Sequence, residues 1–149
     1  MTFDLWLQNG WIRAHETSPA EIAELLAVAD RNLADAGIDE LSADARMGFA
    51  HAASIAVANA ALAAAGYRPG RERHHERLID SLAHTVGADS KTIRRLHDQR
   101  VSRNTMTYER IGTVTEQEAK DAVVHANELT AIVRKWLMKE HPKLMPRKK

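Results

Sequence analysis

From Ser42 to Gly66 the chain reads SADARMGFAHAASIAVANAALAAAG. Ser42 and Asp44 open a helix, because a short polar side chain at the N-cap accepts bonds from backbone N–H groups that have no partner within the helix; Gly66 supplies a left-handed stop. No Asp, Glu, Lys or Arg follows Arg46 before that glycine, so the helix is apolar nearly all round and belongs at the centre of a bundle. At ~1.5 Å per residue it is about 35 Å long, enough to cross a bilayer. Alanine, however, contributes little transfer energy, and His51, Ser54 and Asn59 would each need a partner in hydrocarbon, so a buried core helix is predicted rather than a membrane span. The alanines let neighbouring helices approach closely, while Phe49, Ile55, Val57 and Leu62 supply larger side chains that interdigitate.

Working outward, Ser18-Pro19-Ala20-Glu21 begins a helix with a capping serine and a proline at the first helical position. Ile22, Leu25, Leu26, Ala29, Leu33 and Ala36 form its stripe up to Gly37. Tyr67-Arg68-Pro69-Gly70 reads as a turn, since the residue before proline avoids the helical region. A third helix carries His75, Leu78, Ile79, Leu82 and Val86 and stops at Gly87. A fourth runs from Asp89-Ser90 to about Tyr108, broken by Ile111-Gly112-Thr113-Val114. Thr115-Glu116-Gln117-Glu118 is a capping box for the last helix, with Ala119, Val123, Ala126, Leu129, Val133 and Trp136 as its stripe. No stretch alternates in the manner of a strand. The fold class expected is all-α: an up-and-down antiparallel bundle of four to five helices, with a short N-terminal arm bearing Trp6 and Trp11 folded against it.

The 149 residues, 44% hydrophobic and 28% charged, suit one domain over 1–149, with 139–149 expected as a flexible basic tail. Absence of cysteine removes disulfides, thiolate nucleophiles and Cys-ligated metal. A net charge of only +1 gives no whole-molecule attraction to nucleic acid or membrane, so any such contact must be local. The start has no basic segment followed by an apolar run, which points to the cytoplasm.

Two features break the pattern of a plain bundle. Ile93 and Leu96 set a spacing whose next members are Arg100 and Arg103, so two guanidinium groups project where leucines are expected. Either that stripe has left the core, or the arginines face carboxylates, a partner chain or a phosphate. Asp44 and Glu76 are candidate acids for Arg103. The second feature is the run containing Arg68, Arg71, Arg73, His74, His75 and Arg77, read either as a solvated surface partnered by Glu72 and Glu76 or as a phosphate-binding rim. Residues 68 to 110 hold ten Lys and Arg against six acids, whereas Glu16 to Asp44 is strongly acidic, so a polarised surface is expected. His97 lies six residues before Arg103 and points to another side of the helix. His51 reads as a satisfied core histidine. No histidine pair has the spacing of a metal site, and neither a metal nor another cofactor is expected.

Arg103-Asn104-Thr105-Met106-Thr107-Tyr108, placed before the final helix, resembles the signature of the HEPN family: an arginine, a polar residue, three variable residues and a histidine, here replaced by tyrosine. The Ala-rich helix, the Gly66-Tyr67-Arg68 turn and the His-containing start of the next helix extend the resemblance across the bundle. It implies a homodimer whose two motifs face a shared cleft and, in active members, metal-independent RNA cleavage of toxin type. In that scheme Arg103 neutralises charge developing on the phosphorane, Asn104 orients a phosphate, and Tyr108 stacks on a base or donates to a phosphate. A phenol, with its ordinary pKa of about 10, is a poor general base near neutrality. The phosphate-binding set is then Arg100, Arg103, Arg68, Arg71, Arg73, His74 and His75. The alternative the resemblance implies is a non-catalytic interaction module, partner of a nucleotidyltransferase in a toxin–antitoxin or defence system.

Overall fold

The computed structural model describes residues 2–108 and 114–145, and side chains over 3–101 and 114–145. Among these residues the elements run α1 (Thr2–Gln8), β1 (Ile12–Ala14), α2 (Pro19–Ala36), α3 (Ala43–Ala64), β2 (Tyr67–Pro69), α4 (His74–Ser81), α5 (Ser90–Tyr108) and α6 (Glu116–Glu140), ending in a 3₁₀ turn at Pro142–Leu144. The fold is an all-α bundle with a two-stranded sheet at one side. The expected break at Ile111-Gly112-Thr113 lies outside the described residues, as do Arg147, Lys148 and Lys149.

Helix starts follow the capping chemistry. Ser18 Oγ accepts from the Glu21 N–H at 3.2 Å and Ser42 Oγ from the Ala45 N–H at 3.1 Å. At Thr115 the box closes both ways: the Glu118 N–H donates to Oγ1 at 3.0 Å and the Thr115 N–H to Glu118 Oε1 at 3.1 Å. Each such cap stabilises its helix by about 1 kcal/mol. Gly66, with φ of 99°, ends α3 in the left-handed conformation that only glycine adopts without strain.

α3 is the hub. It packs most extensively on α2 and α6, and also on α4, α5 and β2. By length and composition α3 would reach across a membrane, yet 67% of its most apolar stretch is buried in the bundle. Its alanines leave room for Ile22 and Leu26 of α2, Leu78 and Ile79 of α4, and Leu129, Val133 and Leu137 of α6 in one core cluster. A smaller cluster joins Ala36, Met47, Ala50, Val114, Ala119, Ala122 and Ala126 where α2 ends and α3 and α6 begin. There the buried Arg46 donates from Nε to the Ala36 carbonyl at 2.9 Å, with Glu116 at 3.6 Å and Asp39 at 3.8 Å. A guanidinium on the last carbonyls of α2 offsets the negative end of that helix.

Three parts differ from the sequence reading. The Tyr67-Arg68-Pro69 segment is a strand rather than a turn: β2 pairs antiparallel with β1, with Ile12 opposite Pro69, Arg13 opposite Arg68 and Ala14 opposite Tyr67. Bonds from His15 N–H to Gly66 and from Gly70 N–H to Trp11, both 2.8 Å, set the ladder so that Pro69 falls where no donor is required. The third predicted helix stops at Ser81 instead of reaching Gly87. Ser81 Oγ turns back onto the Leu78 carbonyl at 2.7 Å, and Leu82, Ala83 and His84 bond three residues back, which tightens the chain out of α-geometry. Finally, the tail expected to be flexible from residue 139 begins inside α6, and Leu144 and Met145 pack partly buried on the main core. These two apolar side chains outweigh the basic character of the segment around them.

The N-terminal arm is a helix. Its Phe3 and Trp6 are buried and meet edge-to-face at 5.5 Å; Phe3 also contacts Tyr67 at 5.1 Å, and Trp6 contacts Trp11 at 6.0 Å. His84 stands against both Phe3 and Trp6 at 5.7 Å. Aromatic contacts thus clamp α1 to the strand pair and to the turn after α4.

Candidate functional site

α5 begins with the Asp89 carboxylate accepting from the Thr92 N–H at 2.8 Å. That bond, ahead of attraction from Arg95 and Lys91, holds the Asp89 carboxyl below the ordinary carboxylate range. Ile93 and Leu96 then pack on the core. One turn later Arg100, half-buried, places Nη1 3.6 Å from Glu76 Oε1 on α4, while its Nε is buried and donates to no acceptor among the described residues. His97, on the neighbouring side of α5, bonds Asp80 of α4 at 2.7 Å. A hydrogen bond and an ion pair, one turn apart, therefore tie α5 to α4. Arg103, Asn104 and Tyr108 occupy the last two turns of α5; their side chains lie outside the described residues. Of the two acids considered for Arg103, Glu76 is engaged by Arg100.

The arginine-rich segment enters α4 from β2. Arg68, Arg71, Arg73, His74 and His75 are all exposed, and the two histidine rings meet edge-on at 4.4 Å. Arg73 precedes α4 in the left-handed region, φ 52° and ψ 36°, a conformation that costs a non-glycine residue of order 1 kcal/mol or more. Glycine at position 70 is required by contact: a Cβ there would lie 2.4 Å from the Gly10 carbonyl oxygen. Close approach of these two backbones pins the arginine loop to the Gly10-Trp11 bend. The Arg77 guanidinium stands over the Trp11 ring, 3.8 Å from its centroid, so the loop is braced from both sides.

Strand pairing brings in Arg13, a residue the sequence analysis did not select. It stands opposite Arg68, and directly opposed residues of an antiparallel pair project from the same face. Two adjoining clefts share Arg13, Gly70 and Arg71. One, of about 690 Å³, also has Trp11, Arg73 and Arg77 in its wall. The other, of about 500 Å³, adds Arg68, His15, His74, Asn59 and Glu21. Glu21 is bound by His15 Nε2 at 2.7 and 2.9 Å. Among the described residues no carboxylate lies within 4.0 Å of the Arg13, Arg68, Arg71 or Arg73 guanidinium.

No family model matches the chain, and neither does any curated protein or solved structure. Chemistry at the site must therefore be argued from its own groups. Of Glu72 and Glu76, expected as partners of the arginine run, Glu76 pairs with Arg100, and Glu72 stands in the wall of the larger cleft without an ion pair to any arginine of the run. The acids of α2 are partly spent elsewhere: Asp30 holds Arg134 at 2.6 Å. Among the described residues no three His, Asp or Glu side chains converge closely enough to hold a metal ion. His51, 2% exposed, sits in the core on α3. What remains is a braced, positively charged edge built from β1, β2 and the entry to α4, joined through Glu76 and Arg100 to the distal half of α5.

Proposed function

We propose that the protein is a HEPN-type cytoplasmic homodimer that binds RNA or another phosphate-bearing ligand at an arginine-lined cleft between subunits. The observation that carries this reading is Arg100: it takes a leucine position on α5 yet lies against Glu76, on the helix whose first turn carries His74 and His75. Arginines 68 to 73 and the end of α5 thus belong to one edge of the bundle. Guanidinium forks match carboxylate and phosphate oxygens in pairs, and the higher charge of phosphate groups favours them where several arginines stand together. In this reading Arg103 and Asn104, next along α5 in sequence, contribute to the cleft. Metal-independent cleavage of toxin type requires Tyr108 to act in place of histidine, so binding is the activity the residues support most directly.

Labelled single-stranded RNA titrated at low salt in the presence of chelator tests the reading. Arg103→Ala is expected to weaken binding about tenfold or more, the worth of one charged hydrogen-bonded contact. Equal affinity in the two proteins, with both dimeric, removes it. If RNA is also cut, loss of cutting in Asn104→Ala and Tyr108→Phe assigns the reaction to this cleft.

A second reading, a non-catalytic module partnering a nucleotidyltransferase, is favoured by Val124, Ile132 and Met138, three large apolar side chains that α6 leaves more than half exposed. Salt separates the two, because phosphate contacts weaken steeply with ionic strength and an apolar interface does not.

A further inference from the structure

The strand pair carries an observation that does not depend on the dimer. Like charges placed directly opposite each other across a strand pair repel, and sheet residues so placed are ordinarily opposite in charge or neutral. Here Arg13 and Arg68 face each other, Arg71 stands in the same two clefts, and no described carboxylate comes within ion-pair distance of any of the three. Two acids stand in the walls: Glu21 is occupied by His15, and Glu72, beside Arg71 and Arg73 in the larger cleft, makes no ion pair with any of the three and leaves the cations in excess. The backbone that carries the three cations is held in place. Gly70 N–H bonds the Trp11 carbonyl at 2.8 Å, and glycine at position 70 lets the loop lie directly on the Gly10-Trp11 backbone. Unneutralised guanidiniums projecting from a fixed backbone into shared clefts make an anion site that is partly preorganised.

We infer that the Arg13–Arg68–Arg71 clefts bind linked phosphate groups on each subunit. Linkage follows from the shape: the clefts are contiguous through Arg13 and Arg71, and their volumes, about 690 and 500 Å³, exceed what a single phosphate fills. One phosphate is placed between Arg13 and Arg68, the next beside Arg71, where Arg73 and the Trp11–Arg77 stack continue the wall. Linked phosphates arise either in a nucleoside polyphosphate or in a nucleic-acid backbone, and the site's chemistry is common to both.

Isothermal titration at low salt in metal-free buffer, with three probes, tests the inference: inorganic tripolyphosphate, a nucleoside triphosphate, and a short single-stranded RNA without terminal phosphates. Arg13→Ala and Arg68→Ala are compared with Arg31→Ala, an exposed arginine on α2 that removes the same charge. Binding of at least one probe is expected, weakened about tenfold or more by each strand substitution and little by Arg31→Ala. Tripolyphosphate and triphosphate binding without RNA binding identifies a polyphosphate ligand; RNA binding alone identifies the backbone; both support the site. Thermal unfolding of each variant checks the fold, and Arg13→Lys, which keeps the charge but loses the fork, gives an intermediate affinity. No binding by any probe, or equal losses in Arg13→Ala, Arg68→Ala and Arg31→Ala, overturns it. RNA binding weakened in Arg103→Ala but unchanged in Arg13→Ala and Arg68→Ala overturns this inference and leaves the dimer-cleft reading standing, whereas the reverse pattern removes only the dimer-cleft reading.

Discussion

Arg100 on α5 lies 3.6 Å from Glu76 on α4, although the two preceding members of its helical stripe, Ile93 and Leu96, pack on the hydrophobic core. A guanidinium at that position carries part of its desolvation cost uncompensated, since its Nε finds no acceptor among the described residues. A bundle selected for stability alone would place leucine there. Arg100→Leu is therefore expected to unfold at the same temperature as the wild type or higher, because replacing a partly buried pair member by a packed apolar group is often neutral or stabilising. RNA affinity in the same variant falls. Thermal unfolding and titration of one preparation check both halves.

Arg46 has the opposite character. It is buried, donates to the Ala36 carbonyl at the end of α2 and reaches Glu116 at the start of α6, so it fastens three helix ends with one side chain. Arg46→Met is expected to lower stability by about 2 kcal/mol, the worth of a charged hydrogen bond, while leaving phosphate binding unchanged. Urea unfolding measures the first and titration the second.

Gly70→Ala forces a methyl group to within 2.4 Å of the Gly10 carbonyl oxygen. Backbone atoms must move apart, at a cost of about 1–3 kcal/mol, and the arginine loop moves with them. Lower melting temperature and weakened binding are expected together, in contrast to Arg46→Met. Thermal unfolding followed by titration well below the melting temperature distinguishes the two patterns.

Much of the bundle was legible because its signals are local. Ser18, Ser42 and Thr115 cap helices in the structure as their spacing predicts, and the apolar run after Arg46 became the buried α3. The strand pair was not legible. Three residues carry too little alternation to register, Pro69 argues for a turn, and the pairing joins segments more than fifty positions apart. The candidate site shares that division. Arg68, Arg71, Arg73, His74 and His75 stood out as a basic run, whereas Arg13 becomes part of the site only through its register opposite Arg68. The end of α4 was misplaced for a different reason: Leu82 is buried and Val86 partly so, but they reach the core from a tightened turn, so apolar spacing continued past the point where the helix stops.

Asp89 makes the stability depend on acid. Its carboxyl is held low by the Thr92 N–H, so the stabilisation is present above the unfolded-state carboxylate range and is lost as pH falls through it, from about pH 4 downward. Asp89→Asn keeps an amide oxygen for the cap but removes the titration. Urea midpoints followed from neutral pH into acid are expected to differ between the two proteins above about pH 4 and to converge below it.

The central claim is that unneutralised arginines beside β2 hold phosphate, and salt dependence measures it most directly. For labelled single-stranded RNA, the logarithm of the binding constant is expected to fall linearly with the logarithm of salt concentration, by about 0.7 for each phosphate neutralised. Arg71, common to both clefts, is predicted to account for one such contact, so Arg71→Ala lowers the slope by about 0.7 as well as the affinity. A wild-type constant insensitive to salt, or a slope identical in Arg71→Ala, would contradict the account.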